Sequence, residues 1–124
     1  MLTVESLTVD AADPARLAAF WAALLGWTVH VGAEGEADEG EVWIEAPRPA
    51  SSPDILFLPS TDQRPGKNRL HLDLRPDDRD AQVERALELG AAPVDIGQSG
   101  EESWVVLADP EGNEFCILQA RPGA

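Results

Sequence analysis

Residues 69–75, RLHLDLR, place a histidine and an aspartate two positions apart in an alternating apolar pattern. In a strand, successive side chains point to opposite faces, so His71 and Asp73 share one face and the leucines share the other. We expect the leucines to contact the helices and His71 with Asp73 to face a cleft. An imidazole beside a carboxylate can act as a base, a metal ligand or an oriented ligand pair. The alternative is a histidine satisfied by a local hydrogen bond.

The last strand-like segment contains the single cysteine of the chain. By the same alternation, Glu114 and Cys116 share one face, and Phe115 and Ile117 are predicted core residues on the other. A thiolate together with His71 could hold a soft ion such as zinc, with Glu114 as a third ligand if its side chain turns inward. A small buried residue is the commoner role of a cysteine with apolar neighbours.

The chain has four tryptophans and three phenylalanines but no tyrosine. Trp21 and Trp27, on and after the first predicted helix, are expected in packing. Trp43 and Trp104 lie in corresponding strands of the two halves, where either could stack on a planar or cationic ligand. Ordinary sheet packing is the alternative for each. His30 is predicted to point to solvent and is assigned no role.

The elements that must position these residues follow the order strand, helix, three strands. Asp13 and Pro14 predict the start of the first helix. The first backbone N–H groups of a helix have no partner within it, so an aspartate there can accept hydrogen bonds from them, and a proline has no N–H that would need a partner. Gly26 predicts its end. Apolar residues recur between these positions at the spacing of one helix face, namely Leu17, Phe20, Trp21, Leu24 and Leu25.

The second half repeats this order. Asp77 and Asp78 suit the start of a helix that ends at Gly90, and Asp13 and Asp77 stand equally far from the closing glycines, which suggests a duplication. Each half leaves one sheet face uncovered. The sequence therefore predicts a single α+β domain in which two βαβββ modules, about residues 1–62 and 68–120, form a curved mixed sheet around a cleft. The predicted strands are 2–9, 27–31, 42–46, 55–58, 70–75, 93–96, 104–108 and 114–119.

Two polar segments are predicted loops. GAEGEADEGE, between the second and third strands, has no apolar periodicity. A basic cluster of Arg64, Lys67 and Arg69 precedes the fifth strand, and it suits either an anionic ligand group or a solvated loop.

Four segments, taken in order and with their spacing, resemble the glyoxalase, bleomycin-resistance and extradiol dioxygenase superfamily, also called the vicinal oxygen chelate superfamily. They are DPARLAAFWAALLGW, KNRLHLDLRPDD, LELGA and DPEGNEFCIL, and the resemblance extends over residues 2–119. It implies paired modules around a small-molecule cavity, in a homodimer. Metal-dependent members hold a divalent ion with His and Glu, or occasionally Gln, from the facing sheets.

The resemblance also implies where metal ligands would stand. The first strand's position falls near Ser6, the fourth strand's near Phe57 or Leu58, the fifth strand's on His71 and the last strand's on Cys116. Only His71 matches the family's ligand types, so no metal is expected, and a divalent metal is the alternative. The predicted ligand-binding residues are Ser6, Trp43, Phe57, His71, Trp104, Glu114 and Cys116, and the predicted catalytic residues are His71 and Asp73.

Charge and motif content narrow the classes of function. Nine basic and 23 acidic residues give a formal net charge of −14, which argues against nucleic acid and anionic membranes as partners. The acidic surface either keeps the protein soluble or attracts a cationic small molecule. One cysteine excludes an intramolecular disulfide, and no apolar run or signal-like start is present, so cytoplasmic residence is predicted. Phosphate loops, Ser-His-Asp patterns and CxxC pairs are also absent from the sequence.

Three hypotheses of function follow. The first is a glyoxalase-like protein that binds a small organic molecule in the cleft without the usual metal. The second is a divalent-metal-dependent lyase, isomerase or dioxygenase with an atypical ligand set of His71, Glu114 and Cys116. The third is metal-free acid–base catalysis by His71 and Asp73. The sequence does not decide whether the protein is an enzyme, because one fold supports many activities.

Overall fold

The computed structural model describes residues 1, 3–32, 40–49, 52–61, 70–94 and 102–121. The chain divides into two compact units, Met1–Arg64 and Pro65–Ala124, and the described residues of each form one helix and four strands. Most of the predicted acidic loop and all of the basic cluster at residues 64, 67 and 69 lie outside the described residues. Within the described ranges, no helix has the length and apolar character needed to cross a membrane.

The first module consists of five elements in the predicted order. They are β1 (Ser6–Ala11), α1 (Pro14–Leu25), β2 (Thr28–Val31), β3 (Val42–Glu45) and β4 (Asp54–Pro59). The sheet order is β1-β4-β3-β2, with β1 parallel to β4 and the other pairs antiparallel. β1 begins four residues later than predicted and ends two residues later.

Local chemistry fixes both ends of α1 as predicted. Asp13 caps the helix, and its Oδ1 atom accepts from the backbone N–H of Arg16 at 3.2 Å, while Pro14 occupies the first turn. Gly26 ends the helix in the left-handed conformation at φ +74°, and its N–H donates to the carbonyl of Ala22 at 2.8 Å. A residue with a Cβ would be strained at that φ, which is why glycine marks the end of this helix.

The core of the first module lies between α1 and the sheet. α1 packs on all four strands, and Leu17, Ile44 and Phe57 are fully buried. The prediction that Phe57 helps to bind a ligand is therefore wrong. Phe57 alternates with Leu56 and Leu58, so the strand directs its ring into the core and the two leucines to the opposite face.

The second module repeats the same arrangement. Its elements are β5 (Asp73–Leu74), α2 (Arg79–Leu89), β6 (Ala92–Pro93), β7 (Val105–Ala108) and β8 (Glu114–Ile117). The sheet order is β5-β8-β7-β6, and β5 is again parallel to its neighbour. The predicted α+β class with two βαβββ modules is thus confirmed.

The second helix begins one residue later than the duplication argument requires. Asp78, not Asp77, is the cap, and its Oδ1 atom accepts from the N–H of Ala81 at 3.2 Å. Gly90 ends the helix at φ +117°, as predicted. α2 therefore has 11 residues against 12 in α1, and the exact equality of spacing is wrong although the order of elements holds.

The strand predicted at residues 70–75 is shorter in the structure, because β5 covers only Asp73–Leu74 and His71 precedes it, but hydrogen bonds to β8 continue on either side of the strand. The carbonyls of Leu72 and Leu74 accept from the N–H groups of Cys116 at 2.9 Å and Leu118 at 2.8 Å. The prediction that Leu70 contacts a helix is wrong, since this side chain is 76% exposed and precedes the first bond of the ladder. The predicted core residues of β8, Phe115 and Ile117, are buried as expected.

Candidate functional site

Three side chains capable of binding a metal or transferring a proton converge on one face of the second sheet. Asp73 and Cys116 are register partners in the parallel pair of β5 and β8, and His71 lies two residues before Asp73. The ligand atoms of the three residues all lie within 4.8 Å of one another. We call this group the trio.

Within the trio, the imidazole and the carboxylate form a direct pair. The Nε2 atom of His71 lies 3.2 Å from an Oδ1 atom of Asp73, and the two side chains are 46% and 53% exposed. Alternation along the strand predicts this common face, and the short distance agrees with it. Cys116 is half-buried beside them. The trio is therefore accessible to a solute, and the sheet holds the backbone of two of its members, Asp73 and Cys116.

The position of Cys116 depends on the turn that connects β7 to β8. The buried carboxylate of Asp109 accepts from the backbone N–H groups of Glu111 at 2.9 Å and Asn113 at 3.0 Å. The side-chain amide of Asn113 also donates to both oxygens of Asp109. Gly112 completes the turn at φ +87°, a conformation that side chains disfavour. This network holds the turn that joins β7 to β8, and so fixes where the strand of Cys116 begins.

Other predicted residues of the second module lie outside the trio. Glu114 pairs with Ala108 in the ladder, and Asp73 supplies the carboxylate of the cluster among the described residues. Trp104 immediately precedes β7 and is 42% exposed. Among the described residues, the carboxylate that lies with His71 and Cys116 is therefore that of Asp73, on the neighbouring strand, and not that of Glu114.

The first sheet carries a second polar group, on the face opposite α1. Trp43 of β3 is the register partner of His30 of β2, and their rings stack at 5.5 Å between centroids with an interplanar angle of 20°. The Nε2 atom of His30 lies 3.6 Å from the Oε2 atom of Glu45, and the Oε1 atom of Glu45 lies 3.5 Å from the Nε atom of Arg48. We call Trp43, His30 and Glu45 the aromatic group.

The prediction that His30 simply faces solvent is wrong. Its ring is half-buried against Trp43, because the hairpin register brings the two residues opposite each other. Cross-strand pairing of aromatic rings could have predicted this contact from the sequence, but only if the register of β2 and β3 had been known. One side of the indole of Trp43 is consequently covered by an imidazole.

The first module does not supply the metal ligands that the resemblance implies. Ser6, half-buried at the start of β1 opposite Asp54, offers a hydroxyl, which is a weak ligand. On β4, Phe57 is buried in the core and Leu58 is apolar. A site of His and Glu residues drawn from both modules therefore does not fit this chain. The trio, in contrast, offers a nitrogen, an oxygen and a sulfur ligand in one place.

Comparison with protein families shows a match over most of the chain. A family model described as a glyoxalase-like domain matches residues 6–118, a span that includes both modules and the trio. The chain belongs to the glyoxalase-like family. A search of curated proteins found no match.

Solved structures share the glyoxalase-like fold with this chain. A glyoxalase/bleomycin resistance protein/dioxygenase family enzyme from Burkholderia phytofirmans has a TM-score of 0.70 and 17% identity, over 94% of this chain and 98% of that chain. The antibiotic binding protein TnmS3 from a Streptomyces species has a TM-score of 0.66 and 21% identity, over 98% of both chains. The fosfomycin resistance protein FosX from Mesorhizobium loti has a TM-score of 0.70 and 12% identity, over 98% and 94%. At these identities the likeness shows the glyoxalase-like fold.

Proposed function

We propose that this glyoxalase-like domain binds a small organic molecule of cationic character, without the family's set of His and Glu metal ligands. The binding residues we propose are the aromatic group, together with Ser6, on the first sheet, and the trio, with Trp104 and Glu114, on the second. An antibiotic-binding protein and a fosfomycin resistance protein have the same fold, which supports a small organic ligand as the class.

The observation that carries this proposal is the position of Trp43. Its indole lies on the face of the first sheet that α1 does not cover, half-buried, with an imidazole on one side and Glu45 on the same strand. A ring in this position has an apolar surface for stacking and a carboxylate nearby for a positive charge. Buried core packing, the alternative role of Trp43, would place it on the face of Phe57.

The charge of the chain favours a cation over an anion. The formal net charge is −14, Glu45 belongs to the aromatic group, and the neighbouring strand β4 begins with Asp54. A field of this sign raises the local concentration of cations and lowers that of anions. The contributions of ligand charge and of ring stacking to affinity can be distinguished with three acridines of similar shape, namely cationic proflavine, neutral acridone and an acridine carboxylate.

The test is a calorimetric titration of the full chain with each acridine. We expect saturable binding of proflavine, weaker binding of acridone and none of the carboxylate. The variant Trp43→Ala removes the stacking surface, and we expect its affinity for proflavine to fall by about tenfold, a typical effect of losing an aromatic contact. Trp27→Phe is the matched control, since Trp27 follows α1 and is assigned to packing, and it should bind as the wild type does.

Three results would contradict the proposal. The first is the absence of saturable binding for all three acridines. The second is equal affinity for the cation and the carboxylate, and the third is an affinity for proflavine that Trp43→Ala leaves unchanged. Sedimentation of the same samples tests the proposed homodimer, whose mass would be twice the 13.3 kDa of one chain.

A second candidate function is a divalent-metal-dependent lyase, isomerase or dioxygenase, and the trio is the observation that favours it. An ion held there would polarise a carbonyl or enolate oxygen of a bound molecule. Without an ion, His71 and Asp73 retain the geometry of an oriented base. Turnover of a candidate substrate that depends on added metal and disappears in His71→Ala would support the metal-dependent function. Turnover that survives chelation but still requires His71 and Asp73 would support acid–base catalysis instead.

A further inference from the structure

We infer that His71, Asp73 and Cys116 form a site for one zinc-type divalent ion, built entirely within the second module. This inference goes beyond the small-molecule proposal, and only the metal-dependent candidate function rests on it. The starting observation is the convergence of an imidazole, a carboxylate and a thiol within 4.8 Å.

The donor chemistry selects the class of ion. Zinc takes nitrogen, sulfur and oxygen ligands with bonds of about 2.0–2.3 Å, and it prefers four ligands in a tetrahedron. Magnesium and manganese prefer sites made of oxygen ligands, and a thiolate is a poor ligand for them. A set with one nitrogen, one oxygen and one sulfur therefore favours zinc, cobalt or cadmium over magnesium and manganese.

The geometry needs little rearrangement to bind such an ion. Tetrahedral bonds of about 2.0–2.3 Å place ligand atoms about 3.3–3.8 Å apart. The pair of His71 and Asp73 is already at 3.2 Å, and the widest separation in the trio is no more than 4.8 Å. The separations that involve Cys116 are therefore at most about 1.5 Å longer than a tetrahedral site requires. The partial exposure of His71 and Asp73 leaves room for an ion to enter and for water to complete the tetrahedron.

The backbone holds two of the three ligands in register. Cys116 and Asp73 are opposite each other in the ladder, and the N–H of Cys116 donates to the carbonyl of Leu72 at 2.9 Å. The turn around Asp109 fixes the start of β8. Ligands anchored in a sheet lose little further conformational freedom when an ion binds, which favours affinity.

This site keeps two of the positions that the family resemblance implies, His71 and Cys116, and adds Asp73. The implied site draws His and Glu ligands from two facing sheets, whereas here the corresponding places of the first module hold a serine and apolar residues. In the proposed site, the thiolate of Cys116 and the carboxylate of Asp73 are the metal ligands that accompany His71, and both belong to the second sheet. The consequence is a change in ion preference, from ions that favour oxygen towards ions that accept sulfur.

The test uses the reduced full chain, stripped of metal and titrated with cobalt(II). We expect a thiolate-to-cobalt charge-transfer band in the near ultraviolet and tetrahedral absorption in the visible, both saturating at one ion per chain. Zinc should abolish both bands, and magnesium or manganese in about hundredfold excess should not. Cys116→Ser should lose the charge-transfer band and bind at least about tenfold more weakly.

A second measurement does not depend on colour. Because the chain has one cysteine, the rate of its reaction with a thiol reagent reports on Cys116 alone. Zinc should slow this reaction in the wild type and in His30→Ala, which removes the other histidine. The protection should disappear in His71→Ala and weaken in Asp73→Asn. Circular dichroism of each variant separates loss of the ion from loss of the fold.

The inference fails if no charge-transfer band forms, if Cys116→Ser binds cobalt as well as the wild type, or if magnesium competes as strongly as zinc. It also fails if zinc protects Cys116 equally in His71→Ala. None of these results bears on the binding of proflavine beside Trp43, so failure of the ion site and failure of the small-molecule proposal are distinguishable.

Discussion

The Nε2 atom of His71 and the Oδ1 atom of Asp73 are 3.2 Å apart, across two positions of one extended segment. Both side chains are about half-exposed, so water screens the attraction between them. A pair in this environment contributes little to the free energy of folding.

The first prediction concerns the stability contributed by this pair. In a double-mutant cycle of His71→Ala and Asp73→Ala, we expect a coupling of about 0.2–1 kcal/mol in the free energy of unfolding, as for other exposed pairs. Urea denaturation at constant ionic strength measures it. A coupling of about 3 kcal/mol or more would mean that the pair is a structural element and not an available site.

The second prediction concerns the two faces of β4. Phe57→Ala should lower the free energy of unfolding by about 3–5 kcal/mol, because it opens a cavity in the core. Leu58→Ala, the matched control on the opposite face, should cost about 1 kcal/mol, since Leu58 is only half-buried. Similar losses in denaturant titrations of the two variants would contradict the assignment of faces.

The third prediction concerns the start of α2. Asp78→Ala removes the cap that accepts from Ala81 and should cost about 1 kcal/mol of stability. Asp77→Ala removes the same charge one residue earlier and should change stability by less than about 0.5 kcal/mol. Thermal unfolding of the two variants compares them directly. A larger loss of stability in Asp77→Ala than in Asp78→Ala would mean that Asp77 is the cap. The distance from the capping aspartate to the closing glycine would then be the same in both helices, as the sequence suggests.

The fourth prediction concerns the stacking of His30 on Trp43. His30→Ala uncovers one side of the indole, so acrylamide should quench the tryptophan fluorescence more strongly than in the wild type. Val31→Ala, a change at the next residue of β2 on the other face, is the control and should leave quenching unchanged. Equal quenching in all three proteins would mean that the rings are not stacked in solution.

Much of the fold could be predicted because its signals are local. Asp13, Pro14 and Gly26 specify the ends of a helix through hydrogen bonds and backbone conformation within a few residues. The alternation around His71 identifies a polar face in the same way. These features need no knowledge of how distant segments pair.

The errors arise where pairing between strands decides the outcome. In β4, Ile55, Leu56, Phe57 and Leu58 are all apolar, so alternation is invisible and only the packing of α1 reveals that Phe57 is in the core. The stacking of His30 on Trp43 depends on the register of a hairpin. The meeting of Asp73 with Cys116 depends on a parallel pair between segments far apart in the chain. A one-residue change in any of these registers would exchange the faces.

The most direct test of small-molecule binding is a nitrogen-edited NMR titration of the full chain with proflavine. We expect saturable shifts of the Trp43 indole N–H and of backbone amides in β3, and at the trio if the second sheet takes part. Amides on the solvent side of α2, such as those of Glu84 and Arg85, should stay unchanged. Shifts confined to the helices, or shifts that do not saturate, would contradict the account.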